Sequence, residues 1–189
     1  MRFLIACALL CSVVRAEMVH VKSDQPNPAV RDDKGDPYVT STHGHGVFIS
    51  AHRILTVNHV MESDNAFFES GGKWIACKVV RRDAKNDLCL LETEATAKTV
   101  APLAKNTALA TVQLHAQHVK VTAGPIIIYS NEFSIGTKDS PSGCPLFNRD
   151  GELCGLVTHG FKEIDKHGKE GPIIGAHAVS IETILEFLK

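Results

Sequence analysis

Short apolar runs bounded by turn residues recur along most of this chain, and they constrain the fold more than any other feature. The first half contains "GVFIS" (46–50), "RILTV" (53–57), "AFFES" (66–70), "KWIACKVVR" (73–81) and "DLCLLET" (87–93). The second half repeats the style in "LATVQLH" (109–115), "HVKVT" (118–122), "PIIIYS" (125–130), "EFSIGT" (132–137), "CPLFN" (144–148), "ELCGLVT" (152–158) and "PIIGAHAV" (172–179). Each run is too short for a stable helix, and Gly, Asn, Asp, Ser or Pro separates it from the next. Many short strands at a spacing of roughly 8–12 residues indicate a sandwich or barrel. "NRDG" (148–151) is a hairpin turn, with Gly151 free to take a positive φ. Only "SIETILEFLK" reads as a helix: Ser180 can cap it, and Ile181, Ile184, Leu185 and Leu188 mark one apolar face.

The softer stretch 95–108 is expected to link two β-rich halves. Residues 17–42 are polar and carry Pro26, Pro28 and Pro37, so they are expected as an irregular N-terminal arm with at most one short strand near His20. The first 16 residues have a basic start at Arg2, an apolar run from Phe3 to Val14, and Val14-Arg15-Ala16 at the end. This is the pattern of a secretory signal cleaved after Ala16. The run falls short of the about 20 apolar residues that a spanning helix needs. The expected mature chain, Glu17 to Lys189, is a secreted or periplasmic protein without stable membrane insertion.

That mature chain holds 18 basic and 21 acidic residues and no basic block, which argues against a nucleic-acid partner. It keeps Cys77, Cys89, Cys144 and Cys154. None has a CxxC spacing, so no metal site is expected, and no cofactor motif is present. Cys144 and Cys154 fall in approximate register across the hairpin, where two buried thiols are favoured over a disulfide.

Three motifs carry the chemistry. In "GHGVFISAHRILTVNHV" (44–60), two apolar strands deliver His59 at the end of the second. A general base needs such rigid placement before its pKa matters. In "RRDAKNDLCLLE" (81–92), Asp87 stands at the mouth of an apolar strand, where a carboxylate can orient an imidazole. Asp83 is a second candidate, farther from the apolar run. In "KDSPSGCPLFNRDGELCGLVTHG" (138–160), Ser142-Gly143 lies on a tight turn before a hairpin. Each motif alone has an ordinary structural reading. Together, in the order His, Asp, Ser, they are far more specific.

With these motifs, about Gly44 to Lys189 resembles the trypsin-like (chymotrypsin-fold) serine endopeptidases, in particular the bacterial and viral kind that includes the Deg/HtrA protease domain. The likeness is weakest between Thr93 and Ser130, and nothing similar to a PDZ module follows the terminal helix. The resemblance implies an all-β fold of two six-stranded antiparallel β-barrels with a C-terminal helix. The protease domain would span 43–189, with barrel one at about 43–94, barrel two at about 109–179 and the helix at 180–189.

The resemblance also implies a catalytic set of His59, Asp87 and Ser142, with the N–H groups of Ser140 and Ser142 facing the oxyanion. Thr158 would donate a hydrogen bond to Asp87. Val157 to Gly160 would be an edge strand that pairs with an extended polypeptide substrate. Gly136, Thr137, Val157, Gly160 and Gly175 would line the primary pocket, with Thr158 and His159 adjoining it. No acid stands among these residues, so a small-to-medium apolar side chain is the expected preference, and His159 with His177 leaves room for an acidic one.

The sequence departs from the family at Ser140-Pro141-Ser142-Gly143-Cys144-Pro145. Pro141 replaces the acid that pairs with a new N-terminus in trypsin-type zymogens, so no such activation is expected. Ser140 replaces a glycine, and a left-handed conformation there would cost about 1–2 kcal/mol. An inactive chymotrypsin-fold protein that only binds peptides is the alternative reading.

Overall fold

The computed structural model describes residues 16, 18–106, 113–114, 127–128, 132–136, 142–148 and 150–189. Six strands close into an antiparallel barrel: β1 (Met18–Arg31), β2 (Pro37–Ser50), β3 (Arg53–Thr56), β4 (Ala66–Ser70), β5 (Lys73–Asp83) and β6 (Leu88–Glu92). The order around the barrel is β1-β2-β3-β6-β5-β4. Each of the six strands pairs with two neighbours around the barrel.

The stretch expected as an irregular arm is strand for the most part: its first residues, through Ser23, join the barrel wall, and beyond Ser23 β1 continues as an exposed ribbon with β2. β1 pairs with β2 from Met18↔Val47 outward and with β4 at Val21↔Phe68 and Ser23↔Ala66. Val19, Val21 and Ser23 alternate inward and are buried, as period-two patterning requires. Pro26 and Pro28 lie farther out, where the β1–β2 ladder becomes irregular after Asn27. Missing N–H groups are tolerated there.

Val19, Val21, Phe48, Ile54, Val57, Val60, Met61, Ala66, Phe68, Cys89 and Leu91 fill the barrel. The Phe48 and Phe68 rings meet edge to face at 5.4 Å. The opposite faces of the same strands present Val47, Leu55, Leu88 and Leu90 to a second core shared with the C-terminal half. Strands buried on both sides read as continuous apolar runs, which accounts for "LCLL" in β6.

The C-terminal half contributes β7 (Gln113–Leu114), β8 (Ile127–Ile128), β9 (Glu132–Gly136), β10 (Pro145–Phe147), β11 (Leu153–Ile164) and β12 (Glu170–Ser180). Among the described residues these form a six-stranded antiparallel sheet, in the order β7-β10-β11-β12-β9-β8, that is not closed. The helix α1 (Ile181–Phe187) follows β12 directly. Ser180 Oγ accepts the Thr183 N–H at its start. Ile181, Ile184 and Phe187 are its buried residues, with Leu185 and Leu188 packed at the margin.

The connecting stretch is pinned between the two halves. Ala101 N–H donates to Phe48 C=O at 2.8 Å, Leu153 N–H to Pro102 C=O at 2.7 Å, and Ala104 N–H to Leu153 C=O at 2.9 Å. Ala101 and Ala104 are buried, and small side chains permit that close approach. The turn at Asn148–Gly151 forms as expected, with Gly151 at φ 78° and its N–H on Asn148 C=O.

Candidate functional site

His59 lies in a single 3-10 turn, Asn58–Val60, immediately after β3. Asp87 lies in the tight connection between β5 and β6. It is the one non-glycine residue with a positive φ (54°) among the described residues. Aspartate tolerates that region better than most residues. Asp83 shapes this connection from its start: Oδ1 accepts the N–H groups of Lys85 and Asn86, and Oδ2 accepts Asn86 Nδ2. Asp83 is thus a turn-forming residue.

The turn points Asp87 at His59 with both carboxylate oxygens in use. Oδ1 accepts the His59 backbone N–H at 2.9 Å, and Oδ2 lies 2.7 Å from His59 Nδ1. The Asp87 carbonyl also accepts the Asn58 N–H at 3.2 Å. On the opposite side of the ring, His59 Nε2 lies 2.8 Å from Ser142 Oγ. With the proton on Nδ1, where Asp87 accepts it, Nε2 presents a lone pair to the serine hydroxyl. The hydrogen bond to Asp87 raises the His59 pKa above its ordinary value against the opposing effect of partial burial.

Ser142 is held by the first barrel as well as by its own hairpin. His45 N–H donates to Ser142 C=O at 2.8 Å, and Gly143 N–H donates to Val157 C=O at 2.7 Å. His45 C=O in turn accepts Thr56 Oγ–H at 2.6 Å. Gly44 stands where any side chain would press on Val60 and Ser142 C=O. These contacts from "GHG" (44–46) and Thr56 were not singled out in the sequence, although two glycines flanking a histidine just before an apolar run are the available signal for a close backbone approach. An open hollow of about 600 Å³ adjoins the ring, with Asn58, Met61, Glu62 and Arg82 among its lining residues.

The expected pocket residues are only partly gathered. Gly136 of β9 pairs with Gly175 of β12, and Val157 and Thr158 are buried while His159 and Gly160 are exposed. The His159 and His177 rings lie 4.7 Å apart, with Phe161 5.0 Å from His177. Phe161 covers Gly175 so closely that a Cβ there would come within 2.2 Å of its ring. The ladder from β10 reaches only as far as Leu156 and Val157. Beyond it, β11 is paired with β12 alone among the described residues. Thr137 and Ser140, expected in the pocket and the oxyanion site, lie outside the described residues, as does Pro141.

Two expectations are corrected. Thr158 does not reach Asp87, whose carboxylate is engaged by His59. The Thr158 hydroxyl is within hydrogen-bonding distance of His177 C=O at 3.2 Å and His159 Nδ1 at 3.1 Å. It belongs to the β11–β12 ladder, whose register shifts at this point. Cys144 is not opposite Cys154: its carbonyl accepts the Val157 N–H, whereas Cys154 sits in the bulge of the β10–β11 hairpin and contacts Leu146 C=O. Cys77, Cys89, Cys144 and Cys154 form no disulfide with one another. Burial pushes the Cys144 and Cys154 thiols up to about 12.

Among the described residues, no group of three or more His, Cys, Asp or Glu side chains is arranged to hold a metal ion. Nor is any described helix long and apolar enough to cross a membrane.

The sequence profile of the trypsin-like peptidase domain matches residues 44–156, more than half of the chain. The chain belongs to the trypsin-like peptidase family. Solved structures show the same fold at low sequence identity. The active form of the Rv3671c protease from M. tuberculosis superposes with a TM-score of 0.65 at 18% identity, covering 94% of this chain and 82% of that one. A serine-to-alanine variant of the HtrA-type protease AlgW, with a decapeptide, gives 0.70 at 18% identity, over 93% of this chain and 64% of that one. The serine protease of human pathogenic astrovirus gives 0.59 at 18% identity, over 86% and 88%. No curated protein matches the chain. This family member has a serine-endopeptidase architecture, with His59 between the two halves of the fold.

Proposed function

We propose that the protein is a secreted serine endopeptidase that hydrolyses peptide bonds through Ser142, His59 and Asp87. One observation carries the reading: the His59 ring spans 2.7 Å to Asp87 Oδ2 and 2.8 Å to Ser142 Oγ, with one ring nitrogen for each. Such a bridge lets a neutral imidazole take the serine proton while the carboxylate fixes the tautomer and stabilises the resulting imidazolium. Ser142 Oγ attacks the scissile carbonyl carbon, and His59 then passes the proton to the leaving amine. The acyl-enzyme is hydrolysed by water activated in the same way. The Ser142 and Ser140 N–H groups face the oxyanion in this reading. One such donor is worth about 3–4 kcal/mol of barrier.

The substrate is an extended polypeptide that pairs along β11 at Thr158 to Gly160. It is consistent with this that AlgW, which shares the fold, was solved with a decapeptide. Export follows from the leader at residues 1–16, and the N-terminal sequence of the exported protein tests the cleavage after Ala16.

Labelling with a fluorophosphonate tests the catalytic reading. Wild type is expected to be labelled, and Ser142→Ala and His59→Ala are not. A folded wild type that takes up no label would instead favour a protein that only binds peptides.

A further inference from the structure

His59 belongs to a turn with little internal structure of its own to hold it. The 3-10 turn is three residues long and has no side-chain cap, and such turns have weak internal hydrogen bonds. The segment after it, 61–65, has no regular structure. Yet the ring keeps two short contacts on opposite sides, which requires its backbone to stay within a few tenths of an ångström.

Asp87 secures the N-terminal side of the turn through the His59 N–H. Two groups secure the C-terminal side. On the surface, the Arg82 guanidinium donates to Met61 C=O, to Ser63 C=O at 3.0 Å and to Asn58 Oδ1 at 3.3 Å. From inside the barrel comes Ser23 of β1, fully buried. Its hydroxyl donates to Val60 C=O at 2.8 Å and accepts the Glu62 N–H at 3.1 Å. A single oxygen thereby ties together two backbone groups of the residues just past His59.

The Ser23 backbone is already paired with Thr42 of β2 and Ala66 of β4. The strand does not need the hydroxyl to hold its place. Ser23 also continues the inward series of Val19 and Val21, a position where an apolar residue would suit the barrel interior. A buried hydroxyl there is tolerated because its donor and acceptor are both used, and the partners shown for it, Val60 and Glu62, lie at the end of the His59 turn and just past it.

We propose that Ser23 is a positioning residue that fixes the His59 turn from within the barrel, so that β1 is coupled to the reactivity of Ser142. This rests on the reading of His59 as the general base.

The test compares Ser23→Ala, Ser23→Cys and Ser23→Thr with wild type by the rate of fluorophosphonate labelling and by the NMR signal of the His59 Nδ1 proton. Ser23→Ala is expected to label about ten-fold more slowly, with an altered Nδ1 proton signal, well below its melting temperature. Ser23→Thr, which keeps the hydroxyl, is expected to restore the rate to within about two-fold of wild type. Labelling of Ser23→Ala at the wild-type rate with an unchanged Nδ1 proton would overturn the proposal. If Ser23→Ala does not fold, Ser23→Cys fills the same space with a poor hydrogen-bonding group, and the same two results decide. Should wild type itself take no label, the catalytic reading fails. The Nδ1 signal then decides the positioning role alone: a changed signal supports it, and an unchanged one overturns it.

Discussion

Gly143 lies against the carbonyl of His45 so closely that a Cβ on Gly143 would come within 1.9 Å of that oxygen. The turn that presents Ser142 is therefore pressed onto β2, and the His45 N–H bond to Ser142 C=O runs through the same contact. Gly143 also has a φ of 80°. Gly143→Ala faces about 1–2 kcal/mol of backbone strain together with a clash against backbone that cannot move aside. We expect a lowered melting temperature and fluorophosphonate labelling reduced by at least about 100-fold, because a displaced Ser142 leaves His59 Nε2. Full labelling of a stable Gly143→Ala variant would show that the serine turn does not depend on this contact.

Acid should inactivate the enzyme at a higher pH than an ordinary histidine would produce. The hydrogen bond to Asp87 raises the pKa of His59, and only the neutral ring can take the serine proton. The acid limb of kcat/KM is therefore expected above the ordinary histidine value of about 6.5. The same shift has the opposite sign for stability. Protonated His59 favours the folded state, so its contribution is complete below the unfolded-state pKa and is lost as pH rises through the folded one. A pH–rate profile with its acid limb at or below the ordinary value would contradict the assignment of His59.

How far the sequence could be read follows from where each signal is stored. His59, Asp87 and Ser142 stand beside short apolar strands, and local context suffices to mark them. β1 was hidden because its inward series ends in Ser23 instead of a third valine, while Pro26 and Pro28 make its outer part look like coil. Its role depends on partners almost 40 positions away, which no local pattern records. Thr158 shows the reverse failure. The family resemblance implies Asp87 as its partner, but a register shift in the β11–β12 ladder gives it to His177 and His159 instead.

The three buried thiols, Cys89, Cys144 and Cys154, are expected to be inert in the native protein. Burial raises Cys77 and Cys89 to about 11 and Cys144 and Cys154 to about 12, so almost no thiolate is present at neutral pH. Iodoacetamide at pH 7.5 followed by peptide mapping should find Cys89, Cys144 and Cys154 unmodified, with rapid labelling in denaturant. A disulfide between Cys144 and Cys154 in the mapped peptides would contradict the hairpin register.

Asp87 combines two demands that substitutions can separate. Its φ of 54° favours Asp or Asn over other side chains, while its charge orients and stabilises the His59 ring. Asp87→Asn keeps a residue suited to the turn but loses the charge and can hold the wrong tautomer. It should fold with a melting temperature close to wild type and lose about 10⁴ in kcat, the usual scale for this change in a Ser-His-Asp arrangement. Asp87→Ala loses the same chemistry and adds about 1–2 kcal/mol of left-handed strain, together with the bond to the His59 N–H. Its melting temperature should therefore fall below that of Asp87→Asn at comparable activity. If Asp87→Asn retained wild-type kcat, the carboxylate would be a turn-forming group and Ser142 would need another explanation for its activation.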